Sequence, residues 1–270
     1  MIYPFERQLF LFFVIWYAIG IVLLSFHLVP PWLEWANVVF LITAGLLSML
    51  YFYRSHTPFK GAGIVTLVFV LSMGMESLGV HTGLFFGDYT YMTDFGPKVA
   101  GVPITIGFAW VMVMGTSHVL AAPITRVFRR FAWFIYACYG ALIATALDLI
   151  IDPVAYKVKL YWVWHEGGAY YDIPFTNFLG WFILSFALHL FIYFFNYGQS
   201  AWSNNRSPFW EWRMVLLYGM MALMFIIVAF VNGLTLAPVI SALSTGVFYG
   251  VYFCLRGKLS QGKLLRDKLS

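Results

Sequence analysis

Long apolar stretches alternate with short polar breaks through the whole chain. Runs near 8–26, 36–53, 62–80, 102–121, 131–150, 175–197, 212–231 and 234–255 each have about the length a helix needs to cross the hydrocarbon core of a bilayer. The pattern predicts an all-α integral membrane protein of about eight transmembrane helices, a single polytopic domain over residues 1–270. The last two runs are separated by a few residues around Asn232 and Gly233, which predicts a tight helical hairpin. No small-residue cleavage site follows the first run, so it is expected to be a span and not a removed leader.

Composition agrees with the pattern. Hydrophobic residues make up 62% of the chain and charged ones 10%, against about 25% charged in a soluble domain. The charges then suggest an orientation. Arg7, Arg54, Lys60, Arg126, Arg129, Arg130, Arg206, Arg213, Arg256, Lys258, Lys263, Arg266 and Lys268 fall on one side of the expected spans, and only Lys98, Lys157 and Lys159 on the other. By the positive-inside rule both termini are expected to be cytoplasmic, in a multi-pass protein of the cell membrane. The net charge of +5 is then a matter of topology and of attraction to anionic membrane lipid, and calls for no nucleic acid partner. Most acids lie at the outer ends: Glu34, Glu76, Asp88, Asp94, Asp148, Asp152, Glu166 and Asp172. The two longest connections, roughly 81–101 and 151–174, are also outer, and their Gly, Tyr and Trp content predicts lids or re-entrant segments. Cys138 and Cys254 sit in apolar runs and are expected to be buried small side chains.

Two stretches of the chain are versions of each other. Glu76 to Trp110 and Asp148 to Trp181 each contain an acid, a loop rich in Gly and aromatic residues, and a Pro-led helix start. Pro103, Thr105 and Trp110 align with Pro174, Thr176 and Trp181, and Glu76 falls opposite Asp148 with one residue of slack. This predicts repeat units over about 62–121 and 131–197, with one site built twice around a pseudo-twofold axis.

The acids of the repeat carry the candidate chemistry. A carboxyl inside a span costs about 2.5–3.5 kcal/mol on insertion scales, so Glu76 and Asp148 are expected to face a polar cavity. Asp148 and Asp152 stand four apart on one helix face, and Pro153 is expected to end that helix. Such a pair can share a proton, hold a metal, or act as acid and base. Asn177, at the start of the sixth run, either orients a water or serves as a helix-start residue. Tyr89, Tyr91, Trp110, Trp162, Trp164, Tyr170, Tyr171 and Trp181 surround the repeats. They are either interfacial belt residues or the walls of a pocket that steadies a carbocation through cation–π attraction. The histidines show no spacing for a di-iron or zinc site, and no phosphate loop or Gly-x-Ser-x-Gly occurs.

At these repeats the sequence resembles the bacterial membrane carotenoid-biosynthesis proteins that include the carotenoid 1,2-hydratases. The matching pieces run from Glu76-x-x-Gly79 and Phe86-Gly87-Asp88-Tyr89-x-Tyr91 through Val102-Pro103 to Trp110. They resume at Asp148-Leu149 to Asp152-Pro153, Trp162-x-Trp164, Gly168-x-Tyr170-Tyr171 and Pro174-x-x-Asn177-Phe178-x-Gly180-Trp181. Together they cover about half the chain, residues 70 to 185. The resemblance implies acid-catalysed hydration of the terminal double bond of an acyclic carotenoid, such as lycopene, or another long isoprenoid. No metal or redox cofactor is needed. Glu76 or Asp148 is expected to donate the proton. Asp152, Asp88 and Asn177 position the water or take its proton, and the Tyr and Trp rings shield the cation.

Three alternatives follow from the same residues. A fainter likeness to the transmembrane lycopene cyclases suggests end-group cyclisation, but their paired acids after the Pro are replaced here by Thr105-Ile106 and Thr176-Asn177. The Asp148-x-x-x-Asp152 spacing suggests a polyprenyl transferase with a magnesium–diphosphate site. An internal repeat with intramembrane acids also suits a non-enzymatic carrier of lipid or pigment.

Overall fold

The computed structural model describes residues 3–128, 130–196 and 207–269, the stretch 259–269 by its backbone alone. Arg129 and Arg206 lie outside the described residues, as do the side chains of Lys263, Arg266, Asp267 and Lys268.

Nine α-helices are present among the described residues: α1 (Pro4–Ser25), α2 (Trp35–Ser55), α3 (Pro58–Thr82), α4 (Ile104–Ala121), α5 (Ile124–Val127), α6 (Ala132–Pro153), α7 (Phe175–Phe195), α8 (Pro208–Val231) and α9 (Leu236–Leu269). All but the four-residue α5 are long and apolar enough to cross a membrane, eight in all. The chain is a multi-pass, all-α membrane protein.

Burial separates the centre of the bundle from its lipid-facing rim. In α4, 78% of the most apolar window is buried, against 17% in α1. Leu11, Ile15, Ile19 and Val22 of α1 are all exposed, and their spacing of three to four residues puts them on one outward stripe. Small residues bring the inner helices together. A Cβ on Gly115 of α4 would stand 2.4 Å from Ser48 Oγ of α2, and one on Gly140 of α6 would stand 2.3 Å from the His189 ring of α7.

The two ends of the bundle differ in charge. At one end Arg54 pairs with buried Glu6 at 2.5 Å, Arg256 with Glu211 at 3.6 Å, and Lys60 Nζ donates to the Phe195 carbonyl at 2.6 Å. At the other end lie the two long connections, the α8–α9 turn and the end of α1. There Asn232 bridges to Ser25 and His27, and the Tyr171 hydroxyl accepts from the backbone N–H groups of Leu236 and Ala237.

The long connections fold into two short ribbons. One pairs β2 (Lys98–Val99) with β3 (Val102–Pro103); the other pairs β1 (Tyr89–Tyr91) from the first connection with β4 (Trp162–Trp164) from the second. Tyr89 stands opposite Trp164 and Tyr91 opposite Trp162. Side chains alternate along a strand, so these four rings share one face.

Two expectations need correction. Cys138 is only half-buried and Cys254 is exposed; apolar surroundings in sequence meant the lipid-facing rim for one of them, not the core. Nor does the helical path stop at Pro153, since a π-helical turn (Val154–Val158) carries it five residues further. Proline lacks the N–H that would bond the Leu149 carbonyl. The Tyr170 hydroxyl supplies the missing donor at 2.8 Å.

Candidate active site

One cavity of about 130 Å³ opens beneath the β1–β4 ribbon, walled by α2, α3, α4, α6, α7, α8 and the two long connections. Glu76, Asp148, Asp152 and Asn177 all line it, as do Tyr89, Tyr91, Trp110, Trp162, Trp164 and Trp181. Residues up to about a hundred positions apart in the chain are thereby gathered round one space.

Glu76 reaches the cavity from the last third of α3. Its Oε2 accepts from the hydroxyls of Tyr89 and Tyr91, the latter at 3.2 Å, and its Oε1 accepts from the Trp110 indole N–H at 2.9 Å. Burial first, and the Glu76 charge beside them, push both phenols above the ordinary tyrosine range, so they remain protonated donors. Three hydrogen bonds to a charged group are each worth about 1.5–3 kcal/mol. Together they offset part of the cost of burying the acid, about 2.5–3.5 kcal/mol on insertion scales.

Asp148 and Asp152 project from one face of α6. The Asn177 side-chain amide, two residues into α7, donates to Oδ2 of both; the bond to Asp148 measures 2.9 Å. Asn177 thus bridges the two carboxyls through its side-chain nitrogen. The Trp162 indole is a further donor towards Asp152. Asp148 Oδ1 is buried with no hydrogen-bond partner among the described residues.

The indoles of Trp110 and Trp181 stack at 4.1 Å between ring centres, with 21° between planes. The stack stands between the Glu76 and Asn177 sides of the cavity, because Trp110 bonds Glu76 and Trp181 lies one turn beyond Asn177. Local contacts fix the helix starts that carry them. Pro103 and Pro174 precede the first turns of α4 and α7. Thr105 Oγ1 donates to the Phe95 carbonyl at 3.0 Å, and Thr176 Oγ1 to the Phe86 carbonyl at 3.4 Å. Gly180 lets Phe85 and Phe86 approach α7; a Cβ there would stand 2.8 Å from the Phe85 carbonyl oxygen.

Three expected site residues are not part of the cavity wall. Asp88 is exposed on the connection before β1. Tyr170 serves the Leu149 carbonyl, and Tyr171 ties the start of α9. Conversely, sequence reading passed over the polar Asn37, Lys159 and Tyr161, and the apolar Phe40, Phe86, Met221, Met224 and Phe225, all of which line the space. The α8 residues gave no signal because they sit in an unbroken apolar run. Lys159 and Tyr161 adjoin Trp162 in a connection already marked as functional. Among the described residues no group of three or more His, Cys, Asp or Glu is arranged to hold a metal ion.

The chain is 28% identical over 145 residues to the bisanhydrobacterioruberin hydratase of Haloarcula japonica, an alignment covering 53% of this chain and 48% of that relative. The chain thus matches about half the length of that curated relative. No solved structure matches it. The profile of the carotenoid biosynthesis proteins matches residues 36–253, from the start of α2 to well into α9. The protein belongs to the carotenoid biosynthesis protein family.

Proposed function

We propose that the protein is a hydratase that adds water across the terminal double bond of an acyclic carotenoid end group. The observation that carries this reading is the meeting of Glu76, Asp148, Asp152 and Asn177 round one cavity walled by aromatic rings. The Asp148–Asp152 pair supplies the proton. Two carboxyls clamped onto one amide in an apolar space repel each other when both are charged and are best accommodated with one proton between them. That proton passes to the CH carbon of the terminal alkene, and a tertiary cation forms at the adjacent dimethyl carbon. The oxygen of one water bonds to that carbon, and the water's surplus proton returns to the vacated carboxylate. Glu76, charged and held by three donors, faces the cation electrostatically, and the Trp110–Trp181 stack shields it through its ring faces.

The substrate is a stiff hydrocarbon, so it enters from the bilayer, and the enzyme is a multi-pass protein of the cell membrane with both termini cytoplasmic. The basic end of the bundle supports that orientation. The two acid–loop–Pro–Trp units act as one site assembled from two repeats. The clamping of Asp148 and Asp152 by Asn177 favours proton transfer over a magnesium–diphosphate role for the pair.

The test is the mass of the pigment formed when the chain is expressed in lycopene-producing cells. A gain of one water, or of two when both ends react, is expected. Unchanged mass with altered absorption would instead identify a cyclase, and unaltered co-purified pigment a carrier.

A further inference from the structure

Hydration consumes one water per turnover, yet the cavity wall is almost entirely hydrocarbon. Its polar groups fall into two sets. The first is the acid set with its donors. The second is Asn37, Lys159 and Tyr161, which the proposed proton chemistry does not use. Asn37 stands in the first turn of α2, and Lys159 and Tyr161 follow the π turn at the end of α6. All three therefore lie at the loop end of the bundle, between the cavity and the exposed connections.

The set is held firmly. The Tyr161 hydroxyl and the Asn37 side chain are neighbours on the cavity wall, and Lys159 Nζ donates to the Leu24 carbonyl at 2.6 Å. The backbone N–H of Lys159 donates to the Val154 carbonyl at 2.9 Å and that of Tyr161 to the Ala155 carbonyl at 2.8 Å. The Tyr161 carbonyl accepts in turn from Met92 at 2.9 Å. The Tyr161 ring packs edge-on against Phe95 at 5.0 Å. An ammonium and a phenol–amide pair are poor neighbours for a hydrocarbon. They are good ones for water, which both donates and accepts.

On the reading above, we infer that Asn37, Tyr161 and Lys159 form the inlet that passes water from the loop face to the cation, while the carotenoid enters from lipid. They are positioning residues and do not touch the reacting carbons. Their effect lies in the fate of the cation. If water arrives promptly, the C–O bond forms. If water is delayed, the carboxylate takes back a proton from the same CH carbon and the alkene is regenerated. In heavy water that second route leaves deuterium on the recovered, unhydrated carotenoid, because the acid delivered a deuteron and removed a proton.

The experiment incubates membranes containing the full chain with lycopene in heavy water and measures two products by mass: hydrated carotenoid and deuterium-labelled alkene. Tyr161→Phe removes only a hydroxyl; Asn37→Leu removes the neighbouring amide, and Asn37→Gln restores an amide. In Tyr161→Phe and Asn37→Leu the ratio of labelled alkene to hydrated product is expected to rise about fivefold, the effect of losing one neutral hydrogen bond. KM should stay unchanged, and Asn37→Gln should return the ratio towards wild type. Equal loss of both products at constant ratio would overturn the inlet, as would a raised KM at constant ratio, which would make the trio a substrate contact. Wild-type membranes that give neither hydrated nor labelled carotenoid would overturn the hydration reading itself, a result separable from failure of the inlet.

Discussion

Glu76 and Asp148 both line the cavity, yet their surroundings differ. Glu76 is saturated: two phenols and an indole donate to its two oxygens. Asp148 has one shared amide donor, a second carboxyl four residues away, and an oxygen with no partner. A carboxyl given three donors is suited to holding a charge in one place. One crowded by another acid and under-supplied with donors is suited to passing a proton. On the proposed reading, the local environment divides the work between the two acids.

The strongest way to break this comparison is to neutralise each acid separately. Asp148→Asn and Asp152→Asn should each lower the rate of hydrated carotenoid formation by about 10²–10⁴-fold, the range for losing a general acid. Glu76→Gln keeps the cavity's shape and some acceptor capacity and should cost less, about tenfold, the loss of one charge-assisted hydrogen bond's worth of stabilisation. Initial rates normalised to the amount of protein in the membrane decide it. An equal collapse in all three variants would erase the proposed division.

Next in size is the clamp. Asn177→Leu removes the amide that both aspartates share and leaves two buried carboxyls facing each other with only the Trp162 indole beside Asp152. Activity should fall about 10–100-fold, in line with the loss of a buried hydrogen bond to a charged group. The midpoint of thermal unfolding in detergent should fall as well. Leucine retains the bulk, so a normal rate in this variant would show that the two carboxyls do not work as a pair.

Much of the architecture was legible in the sequence because a bilayer imposes one rule, a long apolar run for each crossing. All eight expected runs are helices, displaced by a few residues at their ends except that α9 runs on to Leu269. The acids were legible for the same reason: a carboxyl in an apolar run stands out. What each acid touches was not. The donors to Glu76 come from α4 and from β1, and β1 is placed by pairing with β4, some seventy residues away in the chain. Asn177 read equally well as a helix start, because its clamp role depends on how α7 packs on α6. Tyr170 and Tyr171 read as pocket walls although their hydroxyls serve backbone groups near Pro153 and at the start of α9. A motif records which residues recur, but not which face of a turn they end up on.

The smallest expected effect gives the sharpest view of the Glu76 side. Tyr91 donates to Glu76 Oε2 at 3.2 Å, the longest of the three bonds. The same oxygen also accepts from Tyr89, and Oε1 keeps Trp110. Tyr91→Phe thus removes one donor of three and leaves its ring against Trp162. It should lower the rate only about two- to tenfold, the span of one ordinary hydrogen bond. Tyr89→Phe should cost more, because Tyr89 makes the shorter bond and is packed against Trp164. Each single change mixes lost hydrogen bonding with small shifts of the ribbon, so the informative measurement is a double-mutant cycle with Glu76→Gln. If the tyrosines act by holding a charged Glu76, then Tyr91→Phe and Tyr89→Phe should have much smaller effects once Glu76 is already neutral. If instead they contact the carotenoid directly, their effects should be the same in both backgrounds, and the saturated-acid half of the comparison would give way to a simple aromatic wall.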